Sequence, residues 1–221
     1  MAGKLIILVT LILSSITFYS QIEHKDLTVK REGIYKEIDV DKSYNILTIL
    51  KTKGSSKEKD KAMELVLQKP NEYIPVVLCA LSTELMAKGQ KDEGAFWYFV
   101  GVIRTFYDVK RCNDTSVSDA PAILTEDYGP GVYEYVNKDL IKFEEIILKA
   151  IDFVRKNKEE YDQRYINLHG MEAFMTGLDK KNPTMELSLP KDSWPKIKEE
   201  TLMAYYEEFK QYEDYLKKKN N

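Results

Sequence analysis

The chain has 221 residues, with 33 Lys and Arg against 36 Asp and Glu and a formal net charge of −3. No stretch combines a large basic excess with interleaved aromatics, so nucleic acid is excluded as a partner. With two histidines and two cysteines, and no HExxH arrangement, the sequence implies no metal and no cofactor.

Met1 to Lys4 is a short positive head, and Leu5 to Phe18 is an apolar core of signal-peptide length. Thr10, Ser14, Ser15 and Thr17 interrupt it, which makes it a poor membrane span, since that needs roughly 20 apolar residues. Residues 1–20 therefore read as a signal peptide, with the cut after Thr17 or after Ser20 left open. No cysteine stands near the end of the apolar core, which argues against lipid attachment. The expectation is an exported protein, periplasmic or extracellular, that meets a membrane only through a signal segment left uncleaved. About 200 residues remain, enough for one domain with its own core.

Residues 21–40 read as a lead-in segment, partly extended around Ile34 to Val40, and residues 41–221 as one all-helical domain. Tyr44, Ile46, Leu47, Ile49 and Leu50 fill one side of a helix that stops at Gly54. Ser55 or Ser56 caps a second, which ends before Pro70. A third spans residues 71–88, with Pro75 in its first turn, where the missing N–H costs nothing. Gly89 supplies a left-handed stop. In the run GQKDEGAFWYF, Gln90 to Glu93 turn the corner, Asp92 and Glu93 suit the positive end of a new helix, and the four aromatics form its buried side. Gly94 and Gly101 are costly in a helix, by about 1 kcal/mol each relative to alanine, and so predict a neighbouring helix at close approach.

These residues resemble the tetratricopeptide and Sel1-like helical hairpin. Leu78, Leu81 and Ser82 come first, Leu85 takes the aromatic place, Gly89 is the turn, and Gly94, Tyr98 and Gly101 take the small, aromatic and small places. The likeness spans about 35 residues, near 75–110, with residues 41–67 a weaker second copy, whereas a solenoid needs about three repeats. It departs from the pattern in holding glycine at both small places and in lacking a proline after Phe106. The resemblance implies packed antiparallel helical hairpins more than a tandem-repeat receptor. It extends to a group of small exported bacterial proteins, which adds location and no activity.

Beyond Cys112, NDTSVSDAP reads as a loop leading to a cap at Ser118 or Asp119 and a short helix that ends at Gly129. Gly129-Pro130-Gly131 reads as a hard break. Leu140, Phe143, Ile147, Ile151 and Val154 mark an amphipathic helix from near Asn137 to Lys156. Residues 161–175 are expected helical but interrupted at Gly170, 179–191 a loop, and 194–218 a last helix whose terminal lysines favour its dipole.

Few residues carry chemistry. Ser82 lacks a glycine-flanked elbow, and Gly129-Pro130-Gly131 lacks the lysine of a phosphate loop. Cys112 with His169 is a weak thiol pair. Adjacent acids at Glu144–Glu145, Glu159–Glu160 and Glu207–Glu208 read as solvated surface rather than a glycosidase pair. Arginine is more informative. Lysine outnumbers it 28 to 5, and Arg104, Arg111 and Arg164 stand in aromatic surroundings, where a guanidinium suits forked or stacked contacts. Arg104, Asp108 and Arg111 share one helical stripe. It is either an intrahelical ion pair at the core's edge, or, with Tyr107, Arg164 and His169, the wall of a cleft for a protein segment or small anionic ligand. A binding role, such as immunity protein or scaffold, is expected from the second reading; the alternative is a hydrolase using a carboxylate and His169. Cys79 and Cys112 can form a disulfide only if the chain folds back after Asp108. Oligomeric state is left open.

Overall fold

The computed structural model describes residues 31–179 and 186–219. The expected signal peptide, residues 21–30 of the lead-in and residues 180–185 of the expected loop lie outside the described residues. Among the described residues the protein is all-α, with nine α-helices and no strand beyond an isolated bridge between Cys112 and Ser188. They are α1 (Asp41–Leu50), α2 (Lys57–Gln68), α3 (Pro75–Ala87), α4 (Lys91–Lys110), α5 (Ala120–Tyr128), α6 (Pro130–Val136), α7 (Leu140–Lys156), α8 (Met171–Asp179) and α9 (Trp194–Lys219). None is long and apolar enough to cross a membrane.

The spine is the α3–α4 hairpin. Gly89 turns it at φ 81°, a conformation that costs a side-chain-bearing residue energy and glycine none. The Gln90 N–H donates to the Leu85 carbonyl at 2.9 Å and the Gly89 N–H to Met86 at 3.1 Å, the paired bonds that close a Schellman stop. Two small residues then let the helices run close and antiparallel. A Cβ on Gly94 would stand 2.8 Å from Met86 Cγ, and one on Gly101 would stand 2.7 Å from Cys79 Sγ and 2.9 Å from the Pro75 carbonyl oxygen. The close approach expected from the two glycines is present at both.

The four aromatics do not share one buried side. Consecutive helical residues point about 100° apart, and α4 is covered nearly all round, so Phe96 and Trp97 meet Phe153 of α7 at 5.6 and 5.3 Å while Phe99 meets Tyr133 of α6 and stacks on Phe143 of α7. Helix α9 completes this layer, with Phe209 edge-on to Phe143 at 4.9 Å. Helices α1 and α2 cover the other side of α3.

Two expectations need correction. The lead-in is not extended from Ile34: Gly33–Glu37 is a 3-10 turn that buries Tyr35, with Ile38 and Val40 after it. Gly129-Pro130-Gly131 is no hard break, because Gly129 keeps helical dihedrals and Pro130 begins α6 at once, the position where its missing N–H is harmless. Gly129 is needed there, since a Cβ would meet the Thr125 carbonyl oxygen at 2.4 Å. Residues 163–169 are helical up to the interruption at Gly170, as expected, in the form of a 3-10 turn with Asp162 accepting from the Arg164 N–H at its start.

Candidate functional site

The stripe expected to wall a cleft is internal. Arg104 and Asp108 are fully buried and Arg111 is 3% exposed. Buried charges of this kind are tolerated only when paired and hydrogen-bonded, and the two arginines find separate partners. Arg111 donates from Nε to Asp108 Oδ1 at 3.2 Å, with Nη2 bonded to the same oxygen, and Tyr161 Oη donates to Asp108 Oδ2 at 2.8 Å. The guanidinium lies between the rings of Tyr107 and Trp194, 4.0 and 4.6 Å from their centroids. Burial pushes the Asp108 carboxyl up, with Arg111 and Tyr161 pulling the other way. Burial likewise raises Tyr161 and Tyr165 well above the ordinary phenol value.

This pair seals the end of α4. Leu189 N–H donates to the Arg111 carbonyl and Trp194 Nε1 to the Leu189 carbonyl, both at 2.9 Å, while Tyr107 Oη donates to the Trp194 carbonyl at 3.3 Å. Residues 186–193 thus cross the α4 terminus as a strap, held by bonds on both sides of the guanidinium.

Arg104 does not pair with Asp108. Its Nη1 donates to the Pro70 carbonyl at 3.3 Å and its Nη2 to Asn71 Oδ1 at 2.5 Å, and its Cζ lies 5.4 Å over the Phe153 ring. Glu159 faces Nε at 3.8 Å and is itself paired with Lys198 Nζ at 3.0 Å. Arg104 therefore pins the turn before α3 to the segment after α7 and to α9.

Arg164 and His169 do not join these groups. Arg164 forks onto Asp162, with Nε to Oδ1 at 3.0 Å and Nη2 to Oδ2 at 2.7 Å, and reaches the Glu37 carbonyl at 3.2 Å. Burial opposes ionisation of Asp162, but the bonds from Arg164 outweigh it and hold the carboxyl below its usual range. His169 is exposed with its ring edge-on to Tyr165 at 6.4 Å; protein crowds it closely enough that desolvation lowers its pKa. Among the described residues no carboxylate or nucleophile is hydrogen-bonded to it. Among the same residues no group of three or more His, Cys, Asp or Glu is placed to hold a metal ion.

The disulfide is also corrected. Cys79 and Cys112 are both free and buried. The Cys79 thiol sits 4.0 Å from the Tyr98 carbonyl, opposite Gly101 inside the hairpin, whereas Cys112 lies past the end of α4 with Sγ 3.2 Å from Asn167 Oδ1. The helix keeps them apart, as its 1.5 Å rise per residue requires. Burial raises both thiols, Cys112 to about 11.

What the sequence did not reveal is an inverted helix. Helix α8 buries its small residues, with Ala173 and Thr176 each 3% exposed, and turns Met171 (58%), Phe174 (41%), Met175 (47%) and Leu178 (64%) outward. The cause lies at its start. Asp114 Oδ2 accepts from the Glu172 N–H at 3.1 Å and Ser116 Oγ from the Met171 N–H at 2.8 Å, satisfying donors that a helix start leaves free. A Cβ on Gly170 would stand 2.1 Å from Asp114 Oδ2, so the helix is drawn tight against the body and only small side chains fit beneath. Tyr35, itself buried, stands on this inner side beside Thr176.

No protein-family model, curated protein or solved structure matches this chain.

Proposed function

We propose that this is an exported interaction protein, a rigid helical body that works by contact and whose contact face is the outer side of α8. The observation that carries the reading is the stripe of Met171, Phe174, Met175 and Leu178, four large apolar side chains held outward on an anchored helix. Exposed apolar patches of this kind mark interaction sites. The hairpin resembling a tetratricopeptide unit serves here as spine, with its inner surfaces filled by α1, α7 and α9, and the arginines expected to hold an anion are internal ties. Export follows from the leader-like sequence of residues 1–20.

The test is retention on the envelope fraction of the producing cell, membranes and proteins together. Phe174→Ser with Leu178→Ser is expected to abolish retention while leaving circular dichroism unchanged, and His169→Ala is expected to have no effect. Equal retention of the stripe variant would refute the contact face. Turnover in an ester or glycoside panel that His169→Ala abolishes would make the protein a hydrolase instead.

A further inference from the structure

We infer that α8 lies on a phospholipid surface, with Met171, Phe174, Met175 and Leu178 set among the headgroups and upper acyl chains. The inference rests on the reading of α8 as the contact face and names what it meets.

Three observations converge. The first is the inversion of α8: residues i, i+3, i+4 and i+7 are large and outward, while Ala173 and Thr176 are inward. This is the apolar side of an interfacial helix, which lies in the plane of the membrane with that side sunk to ~5–10 Å. The second is its size. The four residues are 41–64% exposed, which at roughly 200 Å² for a large side chain leaves on the order of 400 Å² open, about half of the ~800 Å² that each partner contributes to a standard protein–protein contact. A second copy of the chain docked through this stripe alone falls short by that measure, while a lipid layer needs no matching surface.

The third is where the rest of the chain joins the body. The first described turn, Gly33–Glu37, places Tyr35 directly against the inner side of α8, on Thr176. The residues before it include the apolar run Leu5 to Phe18. Between that run and Arg31 lie residues 19–30, whose contour is at most roughly 40 Å at full extension. A chain held by that run, before or in place of cleavage, is thus tethered to the bilayer through a linker of that length.

Charge plays a small part. Glu172 is exposed on α8, and the N-terminal donors of the helix are taken by Asp114 and Ser116, so anionic headgroups gain little there.

The experiment is vesicle co-sedimentation of the processed protein recovered from its producing cell, with phosphatidylcholine vesicles and with phosphatidylcholine mixed with phosphatidylglycerol. The protein is expected to sediment with both and to remain bound in high salt. Each of Phe174→Ser and Leu178→Ser is expected to weaken partitioning roughly tenfold, the loss of one buried large side chain, with an unchanged thermal midpoint. No sedimentation with either vesicle overturns the inference. So does binding to the mixed vesicles alone that salt reverses, which would be electrostatic, or a concentration-dependent dimer lost in the variants, which would put a second copy on the stripe. If vesicles fail but envelope retention still depends on Phe174 and Leu178, the lipid is wrong and the contact face stands. If both fail, both readings fall.

Discussion

Gly101→Ala sets two opposing effects against each other. In a helix interior alanine is favoured over glycine by about 1 kcal/mol. At this position, however, the new methyl would stand 2.7 Å from Cys79 Sγ and 2.9 Å from the Pro75 carbonyl oxygen. The sulfur sits on a short, fully buried side chain and the oxygen is backbone, so neither yields without moving α3. Overpacking of this kind costs about 1–3 kcal/mol, and a clash with backbone belongs at the upper end, leaving a net loss of about 1–2 kcal/mol. For a domain of this size each kcal/mol moves the thermal midpoint by about 2–4 °C. Gly131→Ala is the internal control. It lies in α6, where an added Cβ meets nothing within 4 Å, and it is expected to gain up to ~1 kcal/mol. Urea unfolding followed by circular dichroism measures both. A Gly101→Ala protein as stable as the Gly131→Ala protein would show that α3 and α4 do not approach closely at this point.

Breaking the buried pair with Asp108→Asn leaves Arg111 charged and uncompensated; a loss of about 3–5 kcal/mol is expected, and replacing both residues with apolar side chains should cost less than this. A destabilisation below ~1 kcal/mol in the same unfolding assay, as for an exposed pair, would remove Asp108 from the interior. Native protein is expected to resist alkylation at neutral pH and to react at both cysteines in denaturant, with a mass that excludes a Cys79–Cys112 bridge. Tyr35 is held up to about 12, chiefly by burial. Because its folded pKa lies above the unfolded value, its contribution is complete below about pH 10. That contribution is lost as pH rises toward 12, so the unfolding midpoint is expected to fall across this window, and less so in Tyr35→Phe.

The helices with marked ends were legible in the sequence. Pro75, Gly89 and Ser56 act through the backbone of their own neighbourhood: Gly89 ends α3 as read, Ser56 is the one of the two serines that caps α2, and Pro75 opens α3, which begins there rather than at residue 71. Gly94 and Gly101 were legible too, because a costly residue in a helix has a packing reason. What could not be read was which side of each element faces the body. FWYF was read as one buried side, but four consecutive helical residues point in different directions, and all are covered because α4 sits at the centre with neighbours on both sides. The alternation in MEAFMTGL is that of an ordinary amphipathic helix, and only the caps from Asp114 and Ser116, more than 50 residues earlier in the chain, turn its large side chains outward. The arginines stood out by their aromatic surroundings, and Arg111 lies between two rings. Their burial depends on the strap from residues 186–193 and on Glu159, which local pattern cannot supply.

The most direct test is amide hydrogen exchange of the whole processed protein, alone and with membranes from its own envelope. Slow exchange across residues 104–111 that membranes leave unchanged, together with new protection confined to residues 171–178, is the result expected of an internal arginine tie and an external apolar contact face. Protection that changes at 104–111 while 171–178 stays as it was would put the binding site back on the arginine stripe.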